Sequence, residues 1–456
     1  MKRRNFLKTI GNSTAAVTIG SDIFSTENRI LRSDVKVSAN DKVRIGLIGA
    51  GIIGHYDAEA ALKVPGVEIV AVCDLYSGRL DYAKEKWGHA IFTTRDYREL
   101  LARPDIDAVL NCTPDHWHDR VSIDAMNAGK HVYCEKPMIQ KVEYGHAVIE
   151  AQKKTGKVFQ VGSQVASGVV AAEAKKQFES GIIGELNYVE SVNDRDNARG
   201  AWQYAIPTDA SPQTVDYDRF LGRAPKTPFE ATRFFRWRNY KDYGTGVAGD
   251  LFVHLLTSLH TITSSKGPSR IFALGDINFW RDGRDAYDLI TAVMDYPQTD
   301  KHPSFSFFTR VNLASGSGGS GYTKLVGSEG VIEINGGSLT VKHFKHAQAP
   351  GYGGYDSYTS FSAKQKEEFK KWYEAKYAGM SDKPVRGEEI TFSAPKDYDD
   401  RYDHMVNFFE SIRAGKPVHE DATFGLRAAG PSVLCNLSIE KKKAINWDAE
   451  KMKIVK

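Results

Sequence analysis

The sequence predicts an α/β protein in which an N-terminal doubly wound parallel sheet is followed by an α+β domain built on an open, mainly antiparallel sheet. Three observations carry that expectation. A Gly-x-Gly-x-x-Gly turn, Gly49 to Gly54, joins an apolar strand pattern to a helical one. Short strand and helix patterns then alternate as far as Cys134, which calls for parallel pairing. From about Gly162 the strands lengthen and alternate strictly between apolar and polar residues, the mark of a sheet with one buried face.

Residues 1–39 stand outside the fold. Arg3 and Arg4, then Phe6-Leu7-Lys8 and a weakly apolar stretch over 9–20, resemble a bacterial twin-arginine export signal, which predicts a periplasmic protein exported already folded. The first strand is expected over 43–48. It runs into Gly49, which allows the tight turn, Gly51, which lets backbone approach a pyrophosphate, and Gly54, which lets helix pack on strand. Ile52 and Ile53 open the helix, whose N-terminus offers free N–H groups to phosphate. A second strand, 67–73, ends in Asp74, twenty residues after Gly54, where a carboxylate reaches the adenosine ribose hydroxyls. This register makes 40–161 a Rossmann NAD(H)-binding domain. A carboxylate there repels a 2′-phosphate, so NADP is the less favoured cofactor, although Arg79 stands close enough to be weighed for it.

Residues 162–456 form the second domain. Along 304–313, Phe305, Phe307, Val311 and Leu313 point one way and Ser306, Arg310 and Asn312 the other. The Gly/Ser run 315–321 reads as a flexible hairpin loop, and the Gly- and Tyr-rich stretch 351–358 as an insertion, a flap or a contact with a neighbour. An open sheet commonly buries one face on another subunit, so a homo-oligomer, dimer or tetramer, is expected.

Composition removes other classes. With 41% hydrophobic and 26% charged residues the chain is an ordinary globular one. Sixty-one basic against 57 acidic residues leave +4, with no long basic block, so no nucleic-acid partner is expected. No apolar run approaches the ~18 residues of a membrane span. Four cysteines cannot form a disulfide scaffold, and Cys73, Cys112 and Cys134 fall in apolar runs as small buried thiols.

The chemistry-bearing residues come next. Lys136 follows the C-terminal end of a parallel strand, where open α/β sheets bind ligands, and its ammonium suits a substrate hydroxyl or ketone. Asp250 and His254 are four apart in a helical pattern and so share a face; the carboxylate is expected to orient the imidazole, which serves as general base. Trp202, Tyr204, Trp237, Tyr240 and Tyr243, interleaved with Arg195, Arg236, Arg238 and Asn239, suit stacking on a sugar ring while bonding its edge. His116 and His118 lack a third ligand at useful spacing, so no metal is expected.

The glycine turn, Cys112-Thr113-Pro114 with His118, Cys134-Glu135-Lys136-Pro137, and Gly249-Asp250 with His254 stand in the order and spacing of the Gfo/Idh/MocA oxidoreductases, which the chain resembles over nearly all its length. The resemblance implies that Lys136, Asp250 and His254 are catalytic. It implies that Thr113, Pro114, His118, Glu135 and Lys136 meet the cofactor and that the region of Gln164 meets the sugar. It also implies hydride exchange between tightly bound NAD(H) and a sugar, sugar derivative or cyclitol. A glycoside-cleaving relative that oxidises its sugar transiently is the alternative, and a non-catalytic sugar-binding relative a third. Thr257 stands where many relatives have an Asp, and Val165, Ala166 and Ser167 where many have an Arg, which leaves the sugar itself open.

Overall fold

The computed structural model describes residues 41–455. The expected export signal lies outside the described residues. Six strands, β1 (Val43–Ile48), β2 (Val67–Cys73), β3 (Phe92–Thr94), β4 (Ala108–Asn111), β5 (His131–Glu135) and β6 (Phe159–Gly162), form one parallel sheet in the order β3-β2-β1-β4-β5-β6. Chain order reverses beside β1, which opens a crevice between the C-terminal ends of β1 and β4, the ligand-binding place of such sheets. β1 and β4 are buried on both faces, as their near-continuous apolar runs require.

The second sheet has eleven strands. These are β7 (Leu186–Asp194), β8 (Arg270–Asp276), β9 (Leu289–Tyr296), β10 (Phe305–Asn312), β11 (Ser320–Gly327), β12 (Gly330–Asn335), β13 (Ser338–Lys345), β14 (Val385–Arg386), β15 (Ile390–Ser393), β16 (Ile445–Asp448) and β17 (Lys453–Val455). All pairings are antiparallel except β7 with β10. Phe305, Phe307, Val311 and Leu313 are buried as their alternation predicts. Helices Val169–Glu179, Val253–Thr263 and Ala422–Lys441 cover the inner face, whereas Phe272, Leu274 and Val293 lie exposed on the outer one. Among the described residues no helix is long and apolar enough to cross a membrane, and all four cysteines are free and buried.

Three expectations change. The 315–321 run is no hairpin: β10 and β11 flank β7 on opposite sides, so the loop steps over that strand. The helix Asp400–Ala414 belongs by packing to the first unit, since Met405, Phe408 and Phe409 share a core with Val43, Ile45 and Leu47; apolar pattern alone cannot reveal which layer a distant helix covers. The 351–358 stretch lies outside the cavity wall described below; Tyr352 and Tyr358 pack on Phe369 of the exposed helix Ala363–Lys376.

Candidate functional site

The glycine turn is built by sterics. Gly49 has φ +91°, open to glycine at little cost, and a Cβ there would stand 2.5 Å from the Cys112 carbonyl oxygen. A Cβ at Gly54 would stand 2.2 Å from the Gly49 oxygen, so this glycine serves helix packing and stays off the cavity wall. At Gly51 a Cβ would meet nothing nearer than Arg79 Cζ at 3.7 Å, so open space lies over the turn. The helix Ile52–Leu62 that follows has no side-chain cap, which leaves its first N–H groups for an anion. These features fit a dinucleotide pyrophosphate.

Asp74 lies buried at the end of β2. Its Oδ2 accepts the Ala50 N–H at 2.8 Å and its Oδ1 the Tyr76 N–H at 2.9 Å, so the carboxylate braces the turn as well as lining the cavity. Arg79 reaches both its oxygens at 3.4 Å and lies over the Phe235 ring at 5.4 Å, anchored beside the acid.

A cavity of about 440 Å³ runs from this turn to the second sheet. Its wall includes Gly49, Gly51, Ile52, Ile53, Asp74, Thr113, Pro114, Glu135, Lys136, Gln164, Arg195, Trp202, Trp237, Asp250 and His254, which places most of the sequence candidates together. His118, Tyr240 and Tyr243 are not among them. His118 is buried with its Nδ1 at 2.7 Å from the Pro137 oxygen and its Nε2 at 2.7 Å from the Thr113 oxygen, so it ties two wall-forming loops to each other instead of meeting the cavity. Tyr240 and Tyr243 join Tyr217, Phe220 and Phe234 in an aromatic core whose Phe220 and Phe234 reach the cavity wall while the two tyrosines stay behind it, because five closely spaced aromatics cannot all face one cleft. Trp202 does reach the wall, from a backbone at φ +63° that a bulky residue adopts only under tertiary constraint. Among the described residues no group of three His, Cys, Asp or Glu side chains is placed to hold a metal ion.

At the far end, Lys136 Nζ donates to Asp250 Oδ1 at 2.8 Å and to the Asp250 carbonyl at 3.1 Å. Arg238 Nε donates to the same Oδ1 at 3.2 Å. Burial alone would raise the Asp250 carboxyl, but Lys136 and Arg238 outweigh it and hold the group well below the usual carboxylate range. The expected Asp250–His254 pairing is therefore replaced. Asp250 sits in one π-helical turn, Ala248–Phe252, and His254 in the α-helix after it, so the simple one-turn stacking of a regular helix does not apply. The His254 ring has no hydrogen-bond partner among the described residues. Burial, then Lys136, lower its pKa to about 3, with Asp250 opposing, so the ring is neutral at neutral pH.

Glu135 joins these loops: its Oε2 accepts the Lys136 N–H at 3.2 Å and its Oε1 the Gln164 Nε2 at 2.9 Å. Behind it Asp57 is fully buried, and burial followed by the neighbouring Glu135 carboxylate pushes its carboxyl well above the usual range, with Arg401 opposing. Arg401 Nε lies 3.1 Å from Asp57, and this guanidinium lines the cavity. Sequence reading missed both. Asp57 looks like any polar residue of an amphipathic helix, and Arg401 arrives on the helix Asp400–Ala414, from a part of the chain with no local motif.

Residues 43–163 match the model of the GFO_IDH_MocA oxidoreductase family, NAD-binding Rossmann fold, and residues 168–272 match that family's C-terminal α/β domain. Two curated relatives, a glycosyl hydrolase family 109 protein of Shewanella baltica strain OS185 and glycosyl hydrolase family 109 protein 1 of Shewanella sp. strain ANA-3, are each 30% identical over 227 residues. Each alignment takes in 44% of this chain and 50% of the relative, so the chain spans about half the length of these proteins. Among solved structures, levoglucosan dehydrogenase in complex with NADH and levoglucosan matches with a TM-score of 0.62 at 19% identity, covering 89% of this chain and 99% of that one. An NAD-binding protein from Listeria innocua matches with a TM-score of 0.61 at 20% identity, with the same coverage. At those identities the likeness is one of fold.

Proposed function

Since the chain belongs to the Gfo/Idh/MocA oxidoreductase family and carries its NAD-binding Rossmann domain, we propose that it oxidises a hydroxyl-bearing carbon of a sugar, sugar derivative or cyclitol, with tightly held NAD supplying the hydride acceptor. The observation that carries this reading is the Lys136–Asp250 ion pair beside the unbonded, neutral ring of His254 on the wall of one cavity. His254 takes the hydroxyl proton as the carbinol C–H bond breaks. Lys136, held by Asp250, donates a hydrogen bond to the same oxygen and favours the growing carbonyl. Trp202 and Trp237 give the ring apolar faces.

The 30% identity to family 109 glycosyl hydrolases favours a second reading built on the same first step. A ketone acidifies the neighbouring C–H; a base removes that proton, the glycosidic oxygen leaves, water adds, and the ketone is reduced again. Incubating the protein with glycosides in heavy water, without added NAD, separates the two. Keto-sugar with an intact glycosidic bond supports net oxidation. Free aglycone with deuterium on the carbon beside the oxidised one supports cleavage. Neither product from any glycoside or free sugar would remove both readings.

His254 accepts a proton only while neutral, and its lowered pKa moves loss of that form to acid far below the ~6.5 of a free imidazole. The acid limb of kcat/KM should therefore fall well below that value, so that activity at about pH 5 stays within about twofold of that at about pH 7. A half-point near the free-imidazole value would show a solvated or carboxylate-paired ring.

Asp74 beside the ribose position, with Arg79 already engaged on it, supports NAD over NADP. Titration of nucleotide-free protein should give NAD at least about tenfold tighter, a difference of about 1.4 kcal/mol. Equal affinities would remove Asp74 from the choice of cofactor.

A further inference from the structure

The substrate end of the cavity carries more positive charge than a neutral sugar needs. Lys136, Arg195, Arg238 and Arg401 all line it, facing the carboxylates of Asp250 and Glu135. Three of these cations are tethered by one nitrogen and leave the rest of the guanidinium unpaired. Arg238 spends Nε on Asp250 at 3.2 Å and lies over the Trp237 ring at 4.2 Å, and its Nη atoms have no hydrogen-bond partner among the described residues. Arg195 spends Nη1 on the Gly200 carbonyl at 2.8 Å and leaves Nε and Nη2 free. Arg401 has Nε 3.1 Å from Asp57.

Three of the four are felt by one ring: after burial, Lys136, Arg195 and Arg401 lower the pKa of His254, with Asp250 opposing. Cations gathered in a partly desolvated cleft repel one another more strongly than in water, and oxidised nicotinamide adds one more positive charge. The cofactor pyrophosphate does not account for them, because its place over Gly51 has its own uncapped helix N-terminus. A ligand anion would offset the repulsion, and a free guanidinium edge matches a carboxylate or sulfate in two-pronged fashion.

We propose that the carbohydrate taken by this site is anionic, bearing a carboxylate or sulfate group held by the free guanidinium edges of Arg195 and Arg238 while the hydroxyl to be oxidised faces Lys136 and His254. This rests on the redox reading only for the second contact; the anion site stands on the arginines alone.

The test is calorimetric titration of the NAD-loaded protein with matched pairs: glucose against glucuronate, galactose against galacturonate, and glucose against its primary-hydroxyl sulfate ester. At least one anionic member should bind about tenfold or more tighter than its neutral partner. The ratio should shrink as salt is raised, and in Arg195→Gln it should fall below about threefold with NAD affinity unchanged. Tighter uronates identify a carboxylate and a tighter ester identifies a sulfate; either upholds the proposal. Neutral members binding as well in every pair, no anionic member binding, or a preference that survives Arg195→Gln would overturn it. Should Arg195→Gln misfold, which loss of NAD binding would reveal, the wild-type ratio and its salt dependence still decide. Tight anion binding without reduction of the cofactor would defeat the redox reading alone, whereas reduction by neutral sugars with no anion preference would defeat this proposal alone.

Discussion

His254→Ala is expected to lower turnover by about 100-fold or more while leaving NAD affinity within about twofold, and Lys136→Ala should do the same. The histidine ring lies on the cavity wall and no other described residue bonds it, so its removal takes away the proposed proton acceptor without releasing a structural contact. Lys136 is different in one respect. It neutralises the buried Asp250 together with Arg238, so its loss leaves the carboxylate with one partner and also removes a cation that lowers the pKa of His254. The acid limb of Lys136→Ala should therefore move upward relative to wild type, a signature that a merely destabilised protein would not give. Asp250→Asn should cost turnover by loosening Lys136, and by less than loss of the histidine. Rapid-quench and steady-state rates on the true substrate, with NAD affinity measured in parallel, check all three; near wild-type turnover in His254→Ala would remove its role.

The second large effect lies at the glycine turn, where two neighbouring positions should fail for different reasons. Gly51→Ala should leave thermal stability nearly unchanged and weaken NAD by about 100-fold. Its backbone at φ −81° and ψ −162° is open to alanine, and the added methyl meets nothing nearer than 3.7 Å, so the group stands in the space the pyrophosphate needs. Gly49→Ala should lose both. Alanine at φ +91° bears a cost of roughly 1–2 kcal/mol, and its Cβ would lie 2.5 Å from the Cys112 oxygen and 2.9 Å from the Thr113 nitrogen, backbone atoms that cannot step aside. Thermal unfolding and NAD titration of the two variants give the comparison. A Gly51→Ala protein that binds NAD normally would place the pyrophosphate elsewhere.

These effects show where sequence is legible and where it is not. The glycine turn was readable because its chemistry is local: three glycines, a helix N-terminus and an acid at the end of the next strand fix one another over about thirty residues. That Lys136, Asp250 and His254 belong together was readable, and the fold does bring them to one wall. Their connections were not, because a regular helix stacks residues four apart, whereas a π-helical turn and a lysine from the loop after β5 together decide where Asp250 points. Tyr240 and Tyr243 stand behind the wall and not at it, because residue type announces an aromatic surface but not which cluster it joins. The motif points His118 to the cofactor, yet both its nitrogens are committed to the Pro137 and Thr113 carbonyls. Arg401 and Asp57 are legible only once the helix Asp400–Ala414 is seen against the helix Ile52–Leu62, a contact between distant parts of the chain.

The claim common to both readings is that a carbohydrate hydroxyl reduces NAD held by this chain, with His254 as the proton acceptor. It is tested most directly by mixing NAD-loaded protein with a panel of neutral and anionic sugars and glycosides in a rapid-mixing instrument and following the near-ultraviolet absorbance of reduced nicotinamide through the first turnover. A rise in that absorbance is expected with at least one carbohydrate, slowed by about 100-fold or more in His254→Ala at unchanged NAD occupancy. No rise with any member of the panel, or a rise of the same rate in His254→Ala, would contradict it.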